Sequence, residues 1–238
     1  MSGMLYRREV EICEGITLYI PTVGEIISHD AGEHYEMVNL IISTPSDMMV
    51  QLDDLGIDFT TITEYELFFL FFGALREKDT SLIFKDLDLS KFEAMVKQDD
   101  ESIVLYDAEN DIMIDEKIYR QIADKLRAIY HIKKNNKKPA NAEARAFMIE
   151  RARKKQKREA RKNKNKETSA LEDLIISLVN TEQFNYRYDE VLDITIYQFN
   201  SSVHQIIDKI KFDNMMIGCY AGTVDMQKLN QEELNWMK

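Results

Sequence analysis

Four histidines, two cysteines and adjacent carboxylates such as Asp53 with Asp54 and Asp99 with Asp100 carry the chemistry for catalysis or metal binding in this 238-residue sequence, and their spacing assembles neither. His29, His34, His131 and His204 are scattered, with no second histidine four residues on and no cysteine nearby to complete a zinc site. Cys13 and Cys219 lack the paired spacing of a metal knuckle or redox motif and read as two reduced thiols of an intracellular protein. Gly218 and Gly222 have neither a strand before them nor a lysine after them, so they form no phosphate-cradling loop. Asp53 with Asp54, and Asp99 with Asp100, fall at a helix end or in a loop, where solvation accounts for them. No catalytic, cofactor-binding or metal-binding residue is expected, and the chain reads as a non-enzymatic binding protein.

Chemistry of another kind lies in the charge pattern. Residues 133–166 hold 15 Lys or Arg against three Glu, a local charge of +12 inside a chain of net charge -11. Residues 1–132 carry -16 and residues 167–238 carry -7, so two acidic bodies flank a basic arm. Its candidate contact residues are Arg151, Arg153, Lys154, Lys155, Lys157, Arg158, Arg161 and Lys162, a run able to neutralise several phosphates or to meet an acidic protein surface. Phe147 alone accompanies them as a stacking ring, so any nucleic-acid contact through the arm would be non-specific in sequence. Met215 and Met216, adaptable side chains suited to binding grooves, and Trp236 complete the candidate partner-binding set.

The elements that position these residues follow from periodicity and caps. Ile16, Leu18 and Ile20 alternate as in a strand, with Pro21 to end it and a turn or short helix over residues 25–27. Thr44, Pro45 and Asp47 predict a helix over residues 45–55, stopped by Gly56. Thr63 with Glu66 opens a Phe-rich helix whose aromatics point nearly all round, so deep burial is expected. Short β segments are expected over 82–84, 103–106 and 112–114, with a turn at 107–110, as a small antiparallel sheet. Asp115 caps a helix striped by Ile118, Ile122, Leu126 and Ile129 that closes near His131. Pro139 starts a charged helix with no apolar face beyond Met148 and Ile149, expected to fray into a mobile linker. Ser169 with Glu172 opens the next helix, residues 188–192 a short one, and Thr195 with Gln198 a third bearing Ile196, Phe199, Val203, Ile206, Ile207 and Ile210. Gly218 and Gly222 break the chain before an amphipathic piece ending in Leu234 and Trp236.

The expected fold class is therefore α+β, mainly helical: an N-terminal body over 1–132 with a small antiparallel sheet, a basic helical linker over 133–168, and a three-helix C-terminal domain over 169–238. Its last three helices invite a helix-turn-helix reading, but residues 195–208 contain no Arg or Lys to meet phosphates or base edges, so helical packing is the expectation there. The longest apolar run, residues 67–75, is nine residues, and Arg7, Arg8 and Glu9 stand where a signal peptide would need apolar residues. Neither a membrane span nor a leader is expected.

Two stretches resemble a phage family. Ile20, Pro21, Thr22, Val23, Gly24 and Glu25, then Thr44 and Pro45, then Gly56, Ile57, Asp58 and Phe59 look like the tail-assembly or baseplate-assembly proteins of tailed bacteriophages of low-GC Gram-positive bacteria. Tyr188, Asp189, Glu190 and Val191, then Tyr197, Gln198 and Phe199, then Asn235, Trp236 and Met237 are similar in the same way. The resemblance implies a tail-assembly chaperone that binds the tape-measure protein and recruits tail-tube subunits in the host cytoplasm. The basic arm does not belong to that pattern and leaves room for a permanent virion component of the baseplate or neck, or for a nucleic-acid-associated regulator; a homo-oligomer is a separate alternative.

Overall fold

The computed structural model describes residues 3–97, 102–163, 169–225, 229 and 235–237, without the side chains of Lys162 and Asn163. Among these residues the chain is α+β and mainly helical, with ten α-helices and two small antiparallel sheets. Strands β1 (Glu9–Cys13) and β2 (Ile16–Tyr19) form a hairpin turned at Gly15, whose φ of 80° a side chain would strain. Helices α1 (Val23–His29) and α2 (Ala31–Ile42) follow, joined at Asp30. Asp30 holds φ at 102° while its carboxylate accepts the N–H groups of Gly32 and Glu33, so one residue ends α1 and caps α2.

Helix α3 (Met49–Asp54) is shorter than the expected 45–55. Thr44 and Asp47 do pair, the Thr44 hydroxyl donating to Asp47 at 2.9 Å, but they close a turn, and Ser46 donates from it to the Lys137 carbonyl at 2.7 Å. That tertiary tie holds the stretch before α3 out of the helix. Helix α4 (Glu64–Leu75) opens with the expected capping box of Thr63 and Glu66. Its burial is one-sided: Tyr65, Leu67, Phe68, Phe72 and Leu75 are buried, Phe69 and Phe71 half-buried, and Leu70 is 45% exposed.

The expected strand at 82–84 is instead a single helical turn, α5 (Ser81–Phe84). Asp79 accepts the Ser81 N–H there, and the Thr80 carbonyl accepts those of Ile83 and Phe84, satisfying the backbone locally. A short apolar run fits either state, and local capping decides it. Strands β3 (Glu93–Val96), β4 (Ile103–Asp107) and β5 (Ile112–Ile114) make the second sheet in the order β3-β4-β5. Helix α6 (Glu116–Tyr130), capped by Asp115, buries Ile122, Leu126 and Ile129 and ends at left-handed His131, φ 54°.

Helix α7 (Ala142–Asn163) starts at Asn141, whose side chain accepts the Ala144 N–H, rather than at Pro139. Helices α8 (Ala170–Val179), α9 (Tyr188–Asp193) and α10 (Ile196–Tyr220) are the expected three, with capping boxes at Ser169 and Thr195. Contrary to expectation α10 runs straight through Gly218, and the chain turns at Gly222, φ 74°. Of the expected amphipathic end, Leu234 lies outside the described residues and Trp236 stands in a stretch without regular structure.

Leu171, Ile175, Phe199 and Val203 belong to the same hydrophobic cluster as Ile16, Leu18, Ile41 and Ile122. The Val23 N–H donates to the Ile194 carbonyl at 3.0 Å and the Ile196 N–H to the Pro21 carbonyl at 2.8 Å, pinning the start of α10 beside the start of α1. A second cluster gathers Met49, Val50, Leu52, Phe59 and Leu67 under Met148, Ile149 and Ala152 of α7.

Candidate functional site

The basic arm is anchored where the charge run alone suggested fraying. Successive helical residues turn by about 100°, so Arg145, Met148, Ile149, Ala152 and Arg153 share one face of α7. That face lies on α3 and the loop after it: the three apolar residues join the second cluster, Arg145 pairs with Asp58, and Arg153 reaches Asp53 at 2.7 Å and Asp54 at 2.5 Å. Asp53 and Asp54, expected to be merely solvated, are therefore the clamp on the arm. Arg151, Lys154, Arg158 and Arg161 point the opposite way by the same rotation, Lys157 stands to their side and Lys155 at the margin beside Met148, and all six are exposed. The side chain of Lys162 lies outside the described residues. Lys154 pairs with Glu150 and Lys155 with Glu159 along the helix, whereas Arg151, Lys157, Arg158 and Arg161 have no ion-pair partner among the described residues. Docking thus sorts the run into one clamping arginine and a solvent-facing basic stripe.

The other candidates sit on α10. Its first half is core, with Ile196 and Phe199 fully buried. Beyond Ile206 the helix leaves the body: Ile207 is 41% exposed, Ile210 39%, Ile217 64% and Tyr220 82%, while Met215 and Met216 are half-buried. The chain after it folds back. The Thr223 and Val224 N–H groups donate to the Gly218 carbonyl, and a Cβ on Gly218 would stand 2.8 Å from the Val224 side chain, which is why a glycine sits inside this helix. Trp236 returns to the same helix, its carbonyl accepting from Gln205 at 2.9 Å and its ring 5.5 Å from the Lys209 ammonium, itself held by Asp213 at 2.6 Å. Trp236 is thus engaged with its own chain. Helices α8 and α9 also expose Ile176, Tyr188 and Leu192, as does the stretch just before α9 Tyr186; the Asn180 amide donates to both the Tyr188 hydroxyl and the Ile176 carbonyl.

The histidines are less scattered in space than in sequence. His131 and His204 stack with ring centroids 5.2 Å apart, beside Tyr197, and His131 Nε2 lies 3.0 Å from the Ser201 hydroxyl. That hydroxyl also lies 2.7 Å from the Tyr197 carbonyl, which can only accept, so it donates there and receives from His131. A serine whose proton is committed to the backbone is not an activated nucleophile. Burial, and then His204, lower the His131 pKa. His34 is wholly buried, with Nε2 2.6 Å from the Tyr130 hydroxyl and Nδ1 unbonded; burial, then nearby His29, pull its pKa down to about 4. Only the i, i+3, i+4, i+7 spacing of His34, Met37, Val38 and Ile41 could have signalled its place in a helix core.

A groove of about 660 Å³ runs between the 60–65 stretch, α6 and residues 134–138. Its charged floor is self-satisfied: Arg127 donates to Glu64 at 2.9 Å and to the Ile42 carbonyl, and Lys134 reaches Glu64 at 2.6 Å. Among the described residues no group of three or more His, Cys, Asp or Glu could hold a metal ion, and no helix is long and apolar enough to cross a membrane. No curated protein and no solved structure matches the chain. Residues 162–238, which include α8, α9, α10 and their exposed apolar side chains, match the family model described as the YomV second domain, a phage-derived family that suggests a phage protein.

Proposed function

We propose that this chain is a non-enzymatic tail-assembly chaperone of a tailed phage, binding the tape-measure protein and tail-tube subunits in the host cytoplasm during tail morphogenesis. The observation that carries the reading is the exposure of Ile176, Tyr186, Tyr188 and Leu192 within the segment that matches the phage-derived model. Tyrosine-rich apolar surface on a small charged protein is what partner interfaces use, because it supplies large contact area with few rotors to freeze. The basic stripe of α7 would act at longer range, steering an acidic partner toward that patch.

The stripe also favours a second reading, non-specific nucleic-acid contact, and one experiment separates the two. The chain is co-expressed with the tail-tube and tape-measure proteins encoded with it and purified after nuclease treatment. Recovery of those two proteins, lost on Tyr186→Ala with Tyr188→Ala and only slowed in association by Gln at Arg151, Lys154, Lys155, Arg158 and Arg161, is the expected outcome. Failure to recover either tail protein refutes the chaperone role. Binding to DNA that falls by roughly a thousandfold between about 50 and 200 mM salt and vanishes with the Gln set establishes the second reading.

A further inference from the structure

Three polar side chains meet in a hollow where residues 3–7, α6 and α10 come together. Arg7, Lys125 and Tyr197 line it with Met4, Leu5 and Val10, enclosing about 360 Å³, at the lower end of the range of small-molecule sites. Its walls are tied to one another. The Tyr6 N–H donates to the Gly3 carbonyl at 3.3 Å, and the amide of Gln198, which follows Tyr197 in α10, donates to the Leu5 carbonyl at 2.8 Å. Gly3, with φ at 133°, lets Arg7 lie across that turn, since a Cβ there would stand 3.0 Å from the guanidinium Nε. The Tyr197 ring is backed by His131, with centroids 5.1 Å apart.

This hollow holds charge without counter-charge. The Arg7 guanidinium, the Lys125 ammonium and the Tyr197 hydroxyl have no hydrogen-bond or ion-pair partner among the described residues. No carboxylate lines the hollow either, although the chain holds 42 Asp and Glu against 31 Lys and Arg. The nearest acids in sequence are turned away. Glu9 and Glu11 flank Val10 in β1 and so face the other side of the strand, and Asp124, beside Lys125, pairs with Arg127 at 3.0 Å. The helical neighbours of Lys125 are Gln121, Ile122, Ala128 and Ile129, none of them an acid. The larger groove by Glu64 is the contrast, since there Arg120, Arg127 and Lys134 are each paired with a carboxylate.

We infer that this hollow binds the phosphate of a small organic phosphate. Two unpaired cations match the dianion that a phosphate monoester approaches at neutral pH, whereas a carboxylate brings a single charge and two oxygens. The guanidinium offers parallel donors to two phosphate oxygens, the ammonium acts as a point charge, and the Tyr197 hydroxyl is a further donor. Met4, Leu5 and Val10 give the organic part an apolar wall, and Leu5, 43% exposed, is apolar surface that such a ligand would cover. The site uses none of the α7 stripe and is independent of a role in tail assembly.

Amide chemical shifts of the full chain, followed by NMR during titration with phenyl phosphate to about 10 mM, test this, with a dissociation constant of about 1 mM or below expected for so small a ligand. Shifts should centre on residues 3–7, Lys125 and Tyr197. Arg7→Gln or Lys125→Gln should each weaken binding by about tenfold and Tyr197→Phe by a few-fold, while Lys125→Arg, which keeps the charge, should retain it. Inorganic phosphate should bind a few-fold more weakly for want of apolar contact, and benzoate by about tenfold or more for want of the second charge. The cations of α7 are the competing site, so Gln at Arg151, Lys154, Lys155, Arg158 and Arg161 should leave the titration unchanged. No binding up to about 10 mM, shifts centred on α7 and abolished by that Gln set, an affinity indifferent to Arg7→Gln with Lys125→Gln, or benzoate or inorganic phosphate binding as tightly as phenyl phosphate would each overturn the inference.

Discussion

Helices α7 and α10, 22 and 25 residues long, are the two longest described, and each is rooted by its first half and free in its second. What they leave in water is opposite in kind. The free half of α7 presents Lys154, Lys155, Arg158 and Arg161, side chains that hydrate well and need no partner. The free half of α10 presents Ile207, Ile210, Ile217 and Tyr220, whose exposure leaves hydrophobic free energy unrealised. Both are continuous helices, so helical propensity does not distinguish them. The difference lies in what each surface does alone: the basic one is complete in solvent and acts at a distance, whereas the apolar one is completed only by contact.

That contrast sets the size of expected effects. Phe199, fully buried at the root of α10, should cost about 3–5 kcal/mol as Phe199→Ala, while Arg158→Ala on the free half of α7 should stay within about 0.5 kcal/mol. Urea denaturation compares them directly, and similar costs would erase the distinction between root and free half.

Acid should loosen one root before the other. His34 is neutral when folded, with its pKa pulled down to about 4, whereas the unfolded chain takes up the proton near 6.5. Stability is therefore fully present above pH 6.5, falls between about 6.5 and 4, and levels off below, a loss of about 3 kcal/mol. His34 bonds Tyr130, whose carbonyl accepts from Asn200 of α10 at 3.2 Å, while α7 is held by Met148, Ile149 and Ala152 and by arginine pairs with Asp53, Asp54 and Asp58. Hydrogen exchange at pH 4.5 should quicken in α10 before α7, and His34→Leu should flatten the denaturation profile in this window.

Smaller effects probe the dock of α7. Met148 and Ile149 are half-buried, so Met148→Ala should cost about 1 kcal/mol and speed tryptic cleavage at Arg153. Weakest is the clamp: Asp53→Asn with Asp54→Asn removes exposed ion pairs and should cost less than about 1 kcal/mol, vanishing at high salt. Cleavage at Arg153 unchanged both by Met148→Ala and by the double substitution at Asp53 and Asp54 would mean that α7 is not held on α3 in solution.

Much of the fold was legible because helix ends are local chemistry. Thr63, Asp115, Ser169 and Thr195 each accept a backbone N–H two or three residues inside their own helices, so the residues that start α4, α6, α8 and α10 are neighbours in sequence. The hairpin strand β1 and helix α2 were not read, the first because its apolar side, Val10 and Ile12, is short and only half-buried, the second because a histidine, His34, interrupts its apolar stripe. Candidate surfaces were legible only in part: the cations of α7 by composition, but not which of them clamp and which face water, and nothing marked Tyr186 and Tyr188 as exposed binding surface or paired His131 with His204.

By itself the sequence determined where most helices begin, that the chain would be α+β, and that its positive charge would be concentrated in one helical run. Each of these depends on hydrogen bonds, periodicity or charge within a few residues. The tertiary structure alone decided that Asp53 and Asp54 would seize Arg153 from 99 and more residues away in sequence, that Gly218 would sit inside a helix under Val224, and that the apolar stripe of α10 would run past its core. Periodicity states which face of a helix is apolar. What lies against that face, or whether anything does, is a property of distant chain brought together by burial, and no local pattern encodes it.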